Sequence, residues 1–226
     1  MTFPIKLSPS DLTFLWDECK RCFYLKYVHK VTRPPAPFPS IFSTIDRLMK
    51  EYYQGRPTTD LDPALPAGIM RFGEKWVESL PMTIPGHIAQ CYIRGKFDSV
   101  VAFDDGSFGV VDFKTSEPKA YHVPFYGRQL HAYSYSLEHP APGKFGLSPI
   151  SKLGLLVVAP NAMEVTASGQ IAYLGGVTWM EIPRDDAGFM QFLGEVLTLL
   201  EQPMPPEPGE TCGYCQYRAH ARQHGM

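Results

Sequence analysis

Three charged residues lie inside two short apolar runs of the segment GKFDSVVAFDDGSFGVVDFKT, residues 95–115: Asp98 in the first run, Asp112 and Lys114 in the second. Aspartate and lysine are depleted from strand interiors, so these charges lower stability unless the fold uses them. Alternation along a strand puts Asp112 and Lys114 on one face with Phe108 and Val110, and Gly109, Val111 and Phe113 on the other. Whether Asp98 joins Asp112 depends on the turn. A two-residue Asp105–Gly106 loop pairs Asp98 with Phe113 and separates the carboxylates. A three-residue loop, Asp104–Asp105–Gly106 with Gly106 left-handed, pairs Asp98 with Asp112; a bulge elsewhere could also shift the parity. In the three-residue register the carboxylates stand about 5 Å apart, and like charges directly opposed destabilise a sheet. A divalent cation removes that penalty, and Mg²⁺ takes one or two protein carboxylates. Lys114 could then stabilise charge developing on phosphorus or position an attacking hydroxide. The alternative is a solvated polar face, which the apolar surroundings of both acids disfavour.

The cysteines form a second constellation. Four of the five lie in two Cys-x-x-Cys pairs, Cys19/Cys22 and Cys212/Cys215, one near each end of the chain. One pair alone is often two small buried residues. Two pairs supply four soft ligands, suited to tetrahedral zinc or an iron–sulfur cluster. Such a site would pin the C-terminal tail to the first helix. Cys91 reads as core. His220 and His224 are spare ligand candidates in what reads as an exposed tail.

The elements that must position these residues follow from local pattern. LSPSDLTFLWDECKRCFYLKYV opens as a helix, with Ser8 as N-cap, Pro9 in the first turn and Asp11 closing a capping box. Leu12, Leu15, Trp16, Cys19 and Phe23 give it one buried face. RPPAPFP forces extended chain. SIFSTIDRLMKEYYQG reads as a second helix ended by Gly55, and AGIMRFGEKWVESL as a third. Residues 83–115 alternate like strands. PFYGRQLHAYSYSLEH is a helix with Tyr126, Leu130, Tyr133 and Leu137 along one stripe. KLGLLVVAP reads as a strand buried on both faces, and QIAYLGGVTWMEIP as one or two strands. DDAGFMQFLGEVLTLLEQ is the last amphipathic helix, started by Asp185 or Asp186. Strands, a helix and more strands, flanked by helices, imply an α/β (α+β) fold around a central mixed sheet.

The 226 residues, 44% of them hydrophobic, suffice for one substantial core. The net charge of −2 confines any anion-binding surface to a local patch. No apolar run is long enough to span a bilayer, and MTFPIKLSPSDL lacks the pattern of a secretory signal. The expectation is a cytoplasmic protein, where cysteine pairs favour metal over disulfide.

GKFDSV followed by VVDFKT resembles the core of the PD-(D/E)XK nuclease superfamily, in its RecB-like branch, which carries G-x-x-D on one strand and D-x-K-T on the next. Q-x-x-x-Y on the following helix is matched by Gln129 and Tyr133, and the opening helix with its LKYV is also similar. The resemblance implies a restriction-endonuclease-like sheet and metal-dependent phosphodiester hydrolysis. Asp98, Asp112 and the Phe113 carbonyl would hold Mg²⁺ or Mn²⁺, and Lys114 would sit beside the attacking water. Gln129 and Tyr133 would orient Lys114 or the DNA backbone. The branch usually carries a histidine on the early helix. Aligning FSTIDRLMKEYY by its tyrosines puts Asp46 there, a hard oxygen ligand in its place.

Some relatives in this branch, the AddB-type helicase–nucleases and CRISPR-associated exonucleases, carry an iron–sulfur cluster held by one early and three late cysteines. The two-plus-two set here departs from that, with Cys22 standing in as fourth ligand. The resemblance implies a structural [4Fe–4S] cluster first and Zn²⁺ as the alternative. It implies one nuclease domain over 1–226, with 1–33 and 203–226 forming the cysteine subregion and 83–181 the catalytic sheet. The implied activity is exonucleolytic, on single-stranded DNA or a free end. Protein partners would come from DNA repair or CRISPR adaptation. An inactive nucleic-acid-binding or partner-docking module of the same fold is the runner-up. Lys20, Arg21, Lys26, Lys30, Arg94, Lys96, Lys119 and Arg128 fall near the site elements, where phosphate contacts need cations. Tyr121, His122 and Tyr126 could stack on bases or simply pack.

Overall fold

The computed structural model describes residues 4–225; Met1–Phe3 and Met226, at the ends of segments 1–33 and 203–226, lie outside the described residues. Strand β1 (Ile5–Leu7) leads into a helical stretch at Asp11–Leu15, continued by α1 (Trp16–Glu18), α2 (Lys20–Tyr27) and α3 (Ser40–Tyr53). Strands β2 (Gly68–Phe72), β3 (Lys75–Glu78), β4 (Met82–Thr83), β5 (Gln90–Phe97), β6 (Ser99–Phe103) and β7 (Phe108–Thr115) precede α4 (His122–Glu138). The long hairpin β8 (Ile150–Val165) and β9 (Ile171–Ile182), then α5 (Asp186–Leu200) and α6 (Gly213–Gln223), complete the order.

The strands form two mixed sheets rather than one. A five-stranded sheet runs β2-β6-β7-β8-β9, with β7 and β8 parallel and the other pairs antiparallel. In the second sheet, β5 pairs in parallel with β1 and antiparallel with β3 and β4. The chain passes from one sheet to the other at Asp98, the single residue between β5 and β6.

Alternation along β7 sorts its side chains between two cores. Val110 joins Phe97, Leu130, Tyr133 and Leu155 under α4. Val111 and Phe113 join Met49, Tyr53, Met70 and Leu156 under α3. A third core packs Leu12, Trp16 and Phe23 against Leu193, Val196 and Leu197 of α5. Each such buried side chain contributes about 1.5–3 kcal/mol of burial free energy. Asp185 caps α5, accepting a hydrogen bond from the Gly188 amide at 2.8 Å.

Several local expectations change. AGIMRFGEKWVESL forms strands β2 and β3, not a helix. Met70 and Val77 are buried while Ile69 and Trp76 are exposed, a two-residue period. Pairing with β6 and β5 overrides the local pattern. The opening helix breaks at Cys19, whose extended backbone (φ −165°) starts α2 afresh. Asp11 closes no capping box on Ser8; its carboxylate accepts from the Tyr27 hydroxyl at 2.7 Å and pairs with Lys26 at 2.6 Å. QIAYLGGVTWMEIP is one strand, and a further helix, α6, follows α5.

Candidate functional site

The β6–β7 register pairs Ser99 with Val111 and Ala102 with Phe108, so one step further Asp98 stands opposite Asp112. The connection is the three-residue loop Asp104–Asp105–Gly106. Gly106 has φ +86°, and the Phe103 amide donates to the Ser107 carbonyl at 2.9 Å. Asp105 fixes the turn by accepting from the Ser107 amide at 2.8 Å.

The Asp98 carboxylate does not continue the ladder; its Oδ2 accepts from the Phe113 amide at 3.1 Å, which brings it beside Asp112. Asp112 is 2% exposed. Lys114 ion-pairs with Asp112 Oδ2, yet that oxygen accepts no well-aligned hydrogen bond. Burial holds the Asp112 carboxyl above the usual carboxylate range; the Lys114 charge opposes this and Asp98 adds to it. Burial favours the neutral amine of Lys114, but Asp112 and Asp98 together outweigh it and raise its pKa. Two adjoining carboxylates, one of them buried with Lys114 as its counter-charge, are a donor set for a hard divalent cation.

Asp46 reaches the site through a lysine. Lys50, one turn further along α3, places Nζ 2.7 Å from Asp46, 2.8 Å from Asp98 Oδ1 and 2.7 Å from Glu74. One ammonium thus holds three carboxylates, and it would compete with any cation for Asp98. Lys50→Gln is expected to tighten Mn²⁺ binding by roughly tenfold, the effect of removing about 1.4 kcal/mol of charge competition. Calorimetric titration of both proteins checks this.

Gln129 and Tyr133 separate in role. Gln129 Nε2 donates to Asp112 Oδ1 at 3.2 Å, so it orients the acid rather than Lys114. The Tyr133 hydroxyl donates to the Lys96 carbonyl at 2.8 Å, and its ring packs in the core beneath α4. That bond ties α4 to β5 and is not directed at Lys114, one of the two partners expected for Tyr133 beside the DNA backbone. Lys114 Nζ lies 4.5 Å from the ring centroid of Tyr126. Asp46, Phe113, Lys114, Phe14, Phe38 and Tyr126 share the lining of one cleft of about 460 Å³. Sequence reasoning missed Lys50 and Glu74. Lys50 carried a signal, its i,i+4 spacing from Asp46. Glu74 carried none, because its segment read as a helix.

Residues 65–220 match the family model of the PD-(D/E)XK nuclease superfamily. The chain belongs to that superfamily. No curated protein matches it. Among solved structures it is similar to the crystal structure of SSO0001, with a TM-score of 0.51 and 16% identity over 97% of this chain and 86% of that one. At that identity the likeness concerns the fold alone. PD-(D/E)XK proteins are in the main hydrolytic nucleases that use divalent metals, which agrees with the donor set around Asp112.

This superfamily member also has a sulfur centre. Each Cys-x-x-Cys pair sits at a helix start: Cys19 caps α2 and Cys212 caps α6, with Cys22 and Cys215 in the first turns. Both positive helix ends therefore point at the thiols, while burial, with the neighbouring thiols, holds Cys22 and Cys215 above the usual thiol range. The sulfurs of Cys19, Cys22, Cys212 and Cys215 all lie within 4.8 Å of one another. Three separations are 3.8 Å (Cys19–Cys215), 3.8 Å (Cys22–Cys212) and 3.7 Å (Cys22–Cys215). Arg33 donates to Cys212 Sγ at 3.1 Å. Burial opposes ionisation of Cys19, but hydrogen bonds from the Cys22 and Gly209 backbone bring its thiol down to about 7. Cys91 lies apart, fully buried in the core with Leu12 and Phe23.

Proposed function

We propose that this chain is a RecB-like, divalent-metal-dependent deoxyribonuclease that cuts single-stranded DNA from a free end. The observation that carries the reading is the register of β6 and β7, which brings Asp98 beside Asp112 with Lys114 on the same site. Asp98, Asp112 and the Phe113 carbonyl would hold Mg²⁺ or Mn²⁺, and Asp46 joins them when Lys50 turns away. A divalent ion there lowers the pKa of water and neutralises charge on the phosphate. Gln129 fixes one oxygen of Asp112, and a cation would share the other with Lys114, whose ammonium pairs with it. Lys114 presents its ammonium to the attacking water and the phosphate oxygens. Tyr126 restrains that ammonium. Aromatic faces around the cleft suit unpaired bases: Phe14 and Phe38 line it, with Phe38 70% exposed.

In this reading residues 1–226 are one nuclease domain, and the sulfur centre is structural. The sulfur spacing supports a single Zn²⁺ over the [4Fe–4S] cluster. Tetrahedral bonds of about 2.3 Å put sulfurs about 3.8 Å apart, as three of the pairs here are. In a four-iron cluster each thiolate binds a different iron, which spreads the sulfurs further.

The test is cleavage of end-labelled single- and double-stranded DNA with Mg²⁺, Mn²⁺ or chelator. Shortening of the single strand from an end, abolished by chelator, is the expected result. A second reading, a DNA-binding module without chemistry, is favoured by the Lys50 ammonium seated on Asp98. Binding that survives chelation, with no cleavage under any metal, would establish it.

A further inference from the structure

A second cleft, of about 840 Å³, opens along β5 beyond the end of β1. Its lining draws cations from separate parts of the chain: Lys6 on β1, Lys26 and Lys30 at the end of α2, and Arg94 and Lys96 on β5, with Trp76 of β3 among them. The strand pattern explains the convergence. Arg94 and Lys96 alternate with buried Gly95 and Phe97, so both point outward. Register puts Trp76 beside Lys96, and Lys6 beside Tyr92 two residues before Arg94. The Arg94 guanidinium lies 5.4 Å from the Trp76 ring, which is 63% exposed. An exposed tryptophan beside an arginine is a stacking platform for an unpaired base.

The charge balance leaves cations for an outside anion. Asp11 pairs with Lys26, Glu78 with Arg94 and Glu74 with Lys96. Among the described residues neither Lys6 nor Lys30 has a carboxylate partner. Lys30 takes a left-handed backbone (φ 59°), a position glycine would fill with less strain. Ion pairs link the edge of this cleft to the acidic site. Lys96 pairs with Glu74, Glu74 with Lys50, and Lys50 with Asp98. Successive outward residues of β5 are spaced about 6.6 Å apart, a step that an extended single strand can match phosphate by phosphate.

We propose that this cleft is the track along which a single DNA strand reaches Asp98 and Asp112. Phosphates lie on Lys6, Lys30, Arg94 and Lys96, and a base stacks on Trp76. The proposal rests on the nuclease reading for the destination of the strand, but its binding chemistry needs no metal.

The test is binding of a labelled single strand of about 20 nucleotides, followed by fluorescence anisotropy in chelator over a range of salt. Lys30→Glu combined with Arg94→Glu should weaken binding at low salt by at least about tenfold. The slope of log affinity against log salt should fall by about 1.4, two phosphate contacts at about 0.7 each. Trp76→Ala should cost about tenfold with little change in slope. Lys152→Glu, on β8, should change neither. If the charge reversals unfold the protein, Lys6→Gln with Lys30→Gln removes two cations that have no carboxylate partner and should lower the slope alike. Folded variants of either kind with unchanged affinity and slope would overturn the track, and so would equal loss in the Lys152→Glu control. A protein that binds through the cleft yet cuts nothing with any divalent metal overturns the nuclease reading and leaves the track standing.

Discussion

Asp112→Asn and Lys114→Met will each lower DNA cleavage by at least about 10³-fold, the scale on which a group stabilising transition-state charge is missed. Single-turnover rates at saturating Mn²⁺ measure this. The substitutions act differently. Asn keeps the shape of Asp112 and can still accept from Gln129 Nε2 through its amide oxygen, but it gives up the anion a hard cation requires. Met keeps the length of Lys114 and removes the ammonium. Melting temperatures separate these effects from unfolding. Asp112→Asn relieves a carboxylate that burial holds above its usual pKa, and it leaves Lys114 unpaired; the two effects oppose one another. Asp112→Asn should therefore stay folded at the temperature of the assay, whereas Lys114→Met leaves Asp112 buried without its cation and should melt lower, so its activity is read below that melting temperature. Full metal-dependent activity in either one removes these residues from the chemistry.

Cys212→Ser will have the largest effect on stability, on the order of 3–5 kcal/mol, a fall of roughly 10 °C in melting temperature for a chain of this size. The reason lies in α6, which has no buried residue between Gly213 and Gln223. Outside the sulfur centre its ties are few, chiefly the Tyr214 hydroxyl on the Pro34 carbonyl at 2.7 Å. The contact from Cys22 to Cys212 spans 190 residues of sequence, so the centre fastens one end of the fold to the other. Its loss should release residues 209–223 to limited proteolysis before the core melts. The purified protein should be colourless and hold one zinc per chain. A brown preparation with iron and inorganic sulfide would replace zinc with the cluster.

The acidic hairpin was legible because a strand of period two leaves few places for a charge. Its register was not, since Asp105–Gly106 and Asp104–Asp105–Gly106 both make sound turns. The fold takes the longer loop, in which Asp105 accepts from Ser107 and Gly106 takes the left-handed backbone. Helical periodicity from Leu12 to Phe23 hid the break at Cys19, whose extended backbone makes it the N-cap of α2. The segment Ala67–Leu80 could not be read correctly alone, because its strands follow from pairing with β6 and β5. That error hid Glu74, and with it the Lys50 network. The basic residues show the same limit. In sequence they were scattered charges. In the fold Lys26, Lys30, Arg94 and Lys96 line one cleft, whereas Lys20 covers the Trp16 ring and Arg128 pairs with Asp17.

Asp98 and Asp112 are proposed to hold one divalent ion between them. Anomalous diffraction from a crystal soaked in Mn²⁺ tests it most directly. A single strong peak in contact with both carboxylates, lost in Asp112→Asn, is expected. A manganese peak that touches neither acid, or none at a concentration that supports cleavage, would contradict it.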